Sequence, residues 1–413
     1  MSKLQELINK LCPNGVEFKP LGDISNLSRG KVYGKDYISE HRGEYPVFSS
    51  QTVNDGELGK IDTYDYDGFY LTWTTDGAYA GTIFYRQGKF SITNVCGLIS
   101  LKVNFINLKF LYYWLSIEAP KHVYYGMGNP KLMSNQMTSI MIPVPPIEVQ
   151  EEIVRILDSF SDYAAELQAE LQARKQQYEY YRNLLLTFNP SAYGCGTDDE
   201  QKDGVTTWGG HNYKIEWKKM GEIGTFIRGK RFVRTDIMEQ GVPCIHYGDM
   251  YTYYGLYTNN TPTFLKEEKA QKMRFAQKND IVIVAAGENK DDLGNAVAWL
   301  GEKPAAVHDA CFIFRSNLYP NYISHICRSH NYHKQIKMFA NEAKICSVSG
   351  QDLQKVLIPV PEYELQIKIA SILDRFETLV NDLTNGLPAE IAAVKDQFEY
   401  YRNKLLTFKK LSA

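Results

Sequence analysis

An internal repeat constrains this chain more than any other feature. Ile142-Pro143-Val144-Pro145 returns as Ile358-Pro359-Val360-Pro361. Behind each copy come Gln150 and Gln366, Asp158 and Asp374, and Phe160 and Phe376, all at an offset of 216 residues. Farther on, EYYRN at 179–183 returns at 399–403 and LLTF at 185–188 returns at 405–408, now at an offset of 220. Four residues have therefore been added inside the second copy. A weaker echo ahead of them pairs EFKPLGDISNLSRGK (17–31) with EWKKMGEIGTFIRGK (216–230). A period of about 200 residues is too long for a solenoid unit. The 413 residues read instead as two copies of one two-part module.

The first part of each module, 17–145 and 212–361, is rich in Tyr, Phe, Gly and β-branched runs such as FYLTW, GTIFY, DIVIVAA and ACFIF. This pattern predicts short strands and loops with few helices, the candidates being 105–117 and 322–340. After IPVP the pattern changes. The prolines end an extended segment and permit a helix to start. From Val149 apolar positions recur at 153, 156, 160, 163, 167 and 171, and after Arg174 at 178, 181, 185 and 188. Steps of three and four make a coiled-coil seam, with one extra step of four in the tandem tetrapeptide AELQAELQ (165–172). The second copy repeats the seam from 365 to 408 with one further step of four. Asn385-Gly386 followed by Pro388 predicts a break near 386.

A helix of about 40 residues spans about 60 Å. If both rods share one seam, the second runs back along the first, and the expected fold is α+β. Two mixed α/β domains, 1–145 and 212–361, are joined by an antiparallel two-helix coiled coil (146–188 and 362–410) with a pseudo-two-fold axis. The linker 189–211 is polar and Gly-rich and reads as flexible. Leu4, Leu7, Ile8 and Leu11 predict a short amphipathic helix capping the first domain.

Composition narrows the function classes. No apolar run is long enough to span a membrane, and the polar start MSKLQELINK lacks the apolar core of a signal peptide. A cytoplasmic protein is expected. Seven cysteines without a CxxC pair indicate neither a disulfide framework nor a zinc ribbon. The formal charge of −2 divides into +6 on the globular segments and −8 on the helices and linker. Two non-negative domains on acidic rods suit contact with DNA at two places, without strong bulk electrostatics.

The order of parts resembles the specificity subunit of type I restriction-modification systems. The resemblance is carried by IPVPPIEVQEEIVRILD (142–158) and IPVPEYELQIKIASILD (358–374), by the repeated EYYRN and LLTF, and by NGLPAEI at 385–391. It implies two target recognition domains and a non-catalytic, DNA-binding subunit that reads a bipartite site. The implied partners are two methylation subunits and restriction/translocase subunits. S-adenosylmethionine, ATP and Mg²⁺ would be bound by those partners and no cofactor by this chain.

Direct readout needs paired donors and acceptors on loops: Arg or Lys for guanine, Asn or Gln for adenine, and Ser, Thr or Lys for phosphate. In the first domain this chemistry gathers at Arg29 and Lys31, at Ser49, Ser50 and Gln51, at Thr74 and Thr75, and at Asn129 and Lys131. In the second it gathers at Arg228, Lys230 and Arg231, at His246 and Tyr247, at Asn289 and Lys290, and at Ser347 and Gln351. The paired RGK turns stand out because both follow a Gly-Asp/Glu-Ile landmark, although a surface turn serving only the fold has the same composition. On the helices Tyr181 and Tyr401 lie on the seam and read as core. Tyr180, Arg182, Tyr400 and Arg402 point elsewhere and are candidates for meeting partner subunits.

Two other classes compete with the reader. Asp280, Glu288 and Lys290 imitate the D…ExK spacing of a Mg²⁺-dependent nuclease, but the other module has no counterpart. A coiled-coil scaffold without DNA contact is the remaining alternative. A methyltransferase is disfavoured, since Asn189-Pro190-Ser191-Ala192 is not a D/N-P-P-Y/F tetrad.

Overall fold

The computed structural model describes residues 3–126, 128–188, 204–208, 210–342, 345–382 and 384–411. The chain packs as two compact units, 1–168 with 390–413, and 169–389. Each unit therefore takes a globular segment together with part of each module's helical region, a partition that a linear reading of the repeat does not give.

The long helix is continuous from Ile147 to Thr187, 41 residues without an internal Gly or Pro. It starts on Pro146, whose carbonyl accepts from Val149 and Gln150 N–H at 2.9 and 3.2 Å. The second helical region forms two helices, Tyr363–Asn381 and Leu387–Leu405. Between them Asp382 acts as a local cap, its carboxylate accepting from the backbone N–H groups of Thr384 at 2.7 Å and Asn385 at 3.2 Å. Gly386 is required there, because a Cβ would lie 2.4 Å from the Thr378 carbonyl oxygen. Pro388 then opens the next helix, where its missing N–H has no cost.

In the first unit a six-stranded sheet takes the order Ser25–Arg29, Cys96–Leu101, Tyr66–Thr74, Ile83–Ile92, Arg42–Phe48, Glu57–Ile61. Leu21, Leu71, Trp73, Ile99, Leu111 and Leu115 form its core. The helix Lys3–Leu11 lays Leu4 against Phe110, Ile153 and Leu157. The second unit has two five-stranded sheets, built around Ile281–Val284 and Val242–Ile245. Part of the expected flexible linker is a strand: Gly204–Trp208 pairs antiparallel with His211–Lys219. The β-branched and aromatic run VTTW outweighs the polar character of its surroundings. Residues 189–203 and 209 of that linker lie outside the described residues.

The repeat becomes a repeated set of contacts. Strand Met141–Val144 pairs with Glu17–Pro20 so that Phe18 faces Pro143, and Leu357–Pro361 pairs with His211–Lys219 so that Trp217 faces Pro359. Gln150 is fully buried; its Oε1 accepts from Asn107 N–H at 2.8 Å, and its Nε2 donates to the Pro145 and Phe105 carbonyls at 2.7 and 2.9 Å. Gln366 repeats this with Tyr319 N–H at 2.9 Å and the Pro361 carbonyl at 2.8 Å. Two turns on, Asp158 accepts from Lys109 Nζ and the Tyr113 hydroxyl, both at 2.6 Å. Asp374 accepts from Asn321 Nδ2 and His325 Nε2, both at 2.8 Å. The donors sit at positions i and i+4 of a short helix in each domain, one turn apart, so a single carboxylate meets both.

Each glutamine thus fixes the start of a domain helix to the end of a proline strand. Removing one leaves a buried N–H and carbonyl unpaired, a cost of about 2–4 kcal/mol. Gln366→Ala and Gln150→Ala should each lower stability by this amount, and urea unfolding followed by circular dichroism measures it.

Candidate nucleic-acid interface

The two RGK turns lie on the same backbone frame. Gly30 N–H donates to the Cys96 carbonyl at 3.4 Å and Lys31 N–H to the Ile92 carbonyl at 3.1 Å. Gly229 and Lys230 repeat this on Cys311 at 3.0 Å and Val307 at 2.9 Å. A Cβ would lie 1.9 Å from the Ile92 oxygen at position 30, and 2.1 Å from the His308 oxygen at position 229. The glycines are therefore dictated by the fold, while the flanking Arg29, Lys31, Arg228 and Lys230 are exposed. The frame extends to a parallel strand pair, Phe48 beside Ile92 and Ile245 beside Val307. Beyond it Thr93 N–H donates to the Phe48 carbonyl at 2.8 Å and His308 N–H to the Ile245 carbonyl at 3.2 Å.

Different side chains stand on this shared frame. In the first unit Thr93 Oγ1 donates to Ser49 Oγ at 3.2 Å. Lys31 pairs with Asp65, which also accepts from the Tyr33 hydroxyl at 2.6 Å. Burial raises the Asp65 pKa, but the hydrogen bonds from Lys31 and Tyr33 outweigh it and hold the group ionised below its ordinary value. Arg29 reaches Met133 Sδ at 3.3 Å. The backbone at Lys131 forms antiparallel β-bridges with Asp76 and with Tyr124, which draws these segments together. Asn129 and Lys131 are exposed and Ser50 is half-buried.

Three of the expected contacts in this unit are used internally. Thr74 and Thr75 are fully buried. The Thr74 hydroxyl donates to the Tyr79 carbonyl and that of Thr75 to the Val95 carbonyl, so neither faces solvent. The Gln51 amide donates to the Glu57 carbonyl and closes the base of a loop. Thr74 ends its strand and Thr75 follows it directly, and each hydroxyl is turned onto a carbonyl of a different neighbouring segment.

In the second unit His246, His308, Tyr247 and Phe232 form one aromatic cluster. The His246 ring lies 4.8 Å from Tyr247, 5.1 Å from His308 and 5.9 Å from Phe232. Burial lowers both imidazole pKa values below the ordinary histidine range. Gly248 N–H donates to His246 Nδ1 and Ala310 N–H to His308 Nδ1, each at 3.2 Å, which selects the tautomer with the proton on Nε2. Arg228 donates from Nε to the Asp309 carbonyl at 3.1 Å, while Lys230 and Arg231 are exposed beside the cluster. Asn289 caps the turn at Asp291 and Lys290 pairs with Glu342. Ser347 is half-buried in a short ladder against Ala286, and Gln351 is exposed on the helix Gly350–Lys355.

The nuclease constellation is not assembled. Arg315 holds the buried Asp280 carboxylate, Nε at 2.9 Å from Oδ1 and Nη2 at 2.6 Å from Oδ2. Its remaining capacity takes the Gln277 N–H at 2.7 Å. Lys290 is committed to Glu342 and not to Glu288.

The helix motifs are also paired. Tyr181 stacks on Phe376 at 5.8 Å and Tyr401 on Phe160 at 5.4 Å, each ring keeping one edge in solvent. Tyr180 and Tyr400 are exposed. Arg182 and Arg402, expected to point away, fold back over the rings four residues earlier, Tyr178 at 5.1 Å and Phe398 at 5.4 Å. Cation–π attraction and coverage of the apolar stem favour that pose.

Sequence reasoning missed Arg86. It is 2% exposed, with Phe48 3.6 Å and Phe84 4.4 Å from its guanidinium carbon. Its Nη1 donates to Asp55 Oδ2 at 2.6 Å and its Nη2 to the Asp55 carbonyl at 2.7 Å. Burial pushes its pKa down and Asp55 opposes this. The only signal in the sequence was a charged residue inside the strand Ile83–Ile92, where Gln87, Lys89 and Ser91 made it look like one polar residue among several.

Two repeated frames carrying unlike polar loops define a two-domain macromolecular recognition protein. The family model for the type I restriction modification DNA specificity domain matches residues 13–174 and 213–393, and the chain belongs to that family. It is similar to a chain named as a type I specificity subunit in Mycoplasma pneumoniae, 31% identical over 385 residues, covering 93% of this chain and 95% of that one. The specificity subunit of the Mycoplasma pneumoniae type I restriction enzyme MpnII is 43% identical over 190 residues, covering 45% of this chain and 57% of the other. The crystal structure of a type I S subunit from M. genitalium has the same fold, with a TM-score of 0.53 at 15% identity over 100% of both chains. A chain from a structure of the assembling type I R-M system gives a TM-score of 0.57 at 15% identity, over 96% of this chain and 98% of that one. The chain is a DNA-recognition subunit and not itself the enzyme. Among the described residues no helix is long and apolar enough to cross a membrane.

The second unit carries a pH-dependent element near Arg182. Burial, and after it the charge of Arg328, pushes the His333 pKa down to about 4. A histidine lowered in the folded state contributes stability that is full above about pH 6.5 and is lost as pH falls toward 4. Urea midpoints should therefore fall between pH 7 and pH 4.5, this group's share of the loss being about 2 kcal/mol. His333→Gln should remove the part that this side chain contributes and leave the smaller parts of His246 and His308.

Proposed function

We propose that each domain reads one half of a bipartite sequence in duplex DNA, in the cytoplasm. The helices set the distance between the half-sites and, with Tyr180 and Tyr400 exposed, dock two methylation subunits. Restriction/translocase subunits complete the assembly. S-adenosylmethionine, ATP and Mg²⁺ are bound by those partners and not by this chain. The observation that carries this reading is the frame of two RGK turns on equivalent carbonyls, bearing hydroxyls in one unit and imidazoles in the other. A frame used twice with different chemistry on it is what two unlike half-sites require. Arg and Lys at the turns match guanine edges or phosphates, and the Nε2–H of His246 matches a base acceptor, while that of His308 is used on the Phe232 carbonyl at 3.1 Å.

Single-molecule sequencing of methylated adenines, in cells carrying this chain with its methylation subunits, should reveal one bipartite motif. Gel shifts with and without those subunits separate a reader from a scaffold. The helix length gives a sharper test. Removing one AELQ from 165–172 shortens a helix by about 6 Å, close to two base pairs of duplex. The unread spacer should shorten while both half-sites stay the same, and an unchanged spacer would refute the role of the helix in spacing.

A further inference from the structure

The loop at 49–56 in the first domain and the loop at 246–254 in the second leave equivalent strands at equivalent points. Phe48 and Ile245 end those strands beside Ile92 and Val307, the residues whose carbonyls carry the two RGK turns. The frame is the same and the loops are not: SSQTVNDG against HYGDMYTYY. This contrast bears on what the loops do. A surface that docks two copies of one partner must be alike in both domains, as the stacked Phe and Tyr of the helices are. A surface that reads two different half-sites must differ.

The first loop is built to hold its tip still. Ser49 N–H donates to the Gly56 carbonyl at 2.9 Å, and Gln51 closes on Glu57. Asn54 and Asp55 both take left-handed backbone angles, φ 52° and 53°, unfavourable for residues with a side chain. Such a conformation persists where surrounding contacts over-determine it. Here the determinant is Arg86, buried between Phe48 and Phe84, which grips both the carboxylate and the carbonyl of Asp55. Gly56 leaves room for it, since a Cβ there would lie 3.1 Å from Arg86 Nη2. What the clamp presents is Val53, 78% exposed, and the exposed amide of Asn54. An asparagine amide offers one donor and one acceptor side by side, the pair that meets N7 and N6 of adenine in the major groove, and an apolar side chain beside it suits a thymine methyl.

We propose that Asn54 reads an adenine in the half-site of the first domain, and that Arg86 and Asp55 are positioning residues that hold the tip in reading geometry. The proposal rests on the recognition role above and assigns one base contact within it. The test uses the full chain with its methylation subunits, in cells, with single-molecule sequencing of methylated adenines as readout. Asn54→Gly preserves the left-handed backbone and removes only the amide. It should relax one position of one half-site by roughly tenfold to a hundredfold and leave the other half-site and the spacer unchanged. Asp55→Asn keeps the shape and removes the charge that Arg86 holds, and should blur the same half-site, with thermal melting confirming that the unit remains folded. An unchanged motif in Asn54→Gly overturns the proposal. So does loss of methylation with loss of subunit binding in a pull-down, which would make the tip a docking contact. A wild-type chain that yields no motif at all overturns the recognition role itself.

Discussion

The attachment of each domain to its helix rests on two polar side chains, a buried glutamine and a half-buried aspartate: Gln150 with Asp158 and Gln366 with Asp374. An apolar helix face can slide or rotate by a fraction of a turn at little cost, because dispersion contacts are many and individually weak. A buried amide that must satisfy a helix N-terminus and a proline carbonyl together cannot. The glutamines therefore fix the position of each domain along its helix, and the aspartates, receiving two donors one helical turn apart, fix its rotation. The donor pairs differ, Lys109 and Tyr113 in one unit against Asn321 and His325 in the other. The acceptor geometry is kept while the side chains supplying it are not.

That separation between a kept frame and exchanged chemistry runs through the whole molecule. Proline strand, glutamine, aspartate, RGK turn and the carbonyls beneath it are common to both halves. Ser49 and Thr93 in one half stand where His246 and His308 stand in the other. Buried hydrogen bonds are costly to leave unmade, so they tolerate few substitutions, whereas exposed side chains on a braced loop change without affecting the core. A protein whose binding partner varies from site to site is best served by confining variation to such loops.

The sequence made some of this legible and not the rest, for identifiable reasons. Repeats are visible because packing and backbone constraints act on a few residues at fixed spacing: the prolines of IPVP, the seam, and Gly386 with Pro388 at the helix break. Gln150, Gln366, Asp158 and Asp374 were visible as landmarks, but their role depends on partners some 40 residues or more away in sequence, which no local pattern encodes. The RGK glycines were visible as a turn, while the carbonyls that forbid a Cβ there belong to other strands. Thr74 and Thr75 looked like phosphate ligands because hydroxyls next to an aspartate suggest a polar loop. Their burial follows from the carbonyls of Tyr79 and Val95, which fold over the end of the strand and take up both hydroxyls. Arg86 was invisible because Gln87, Lys89 and Ser91 on the same strand made it look like one polar residue among several.

Arg86 also shows why the charge balance of the chain is a weak guide to its binding. Of the basic residues in the first domain, this one is desolvated and spent on internal order, Lys109 is spent on Asp158, and Lys31 is held by Asp65. A cation engaged in this way contributes little to long-range attraction for phosphate, since its field is cancelled at short range by its partner. What it contributes instead is a fixed geometry, and hydrogen-bond readout depends on geometry within a few tenths of an ångström. The near-neutral chain is thus in keeping with a recognition subunit whose discrimination comes from braced loops and not from bulk charge.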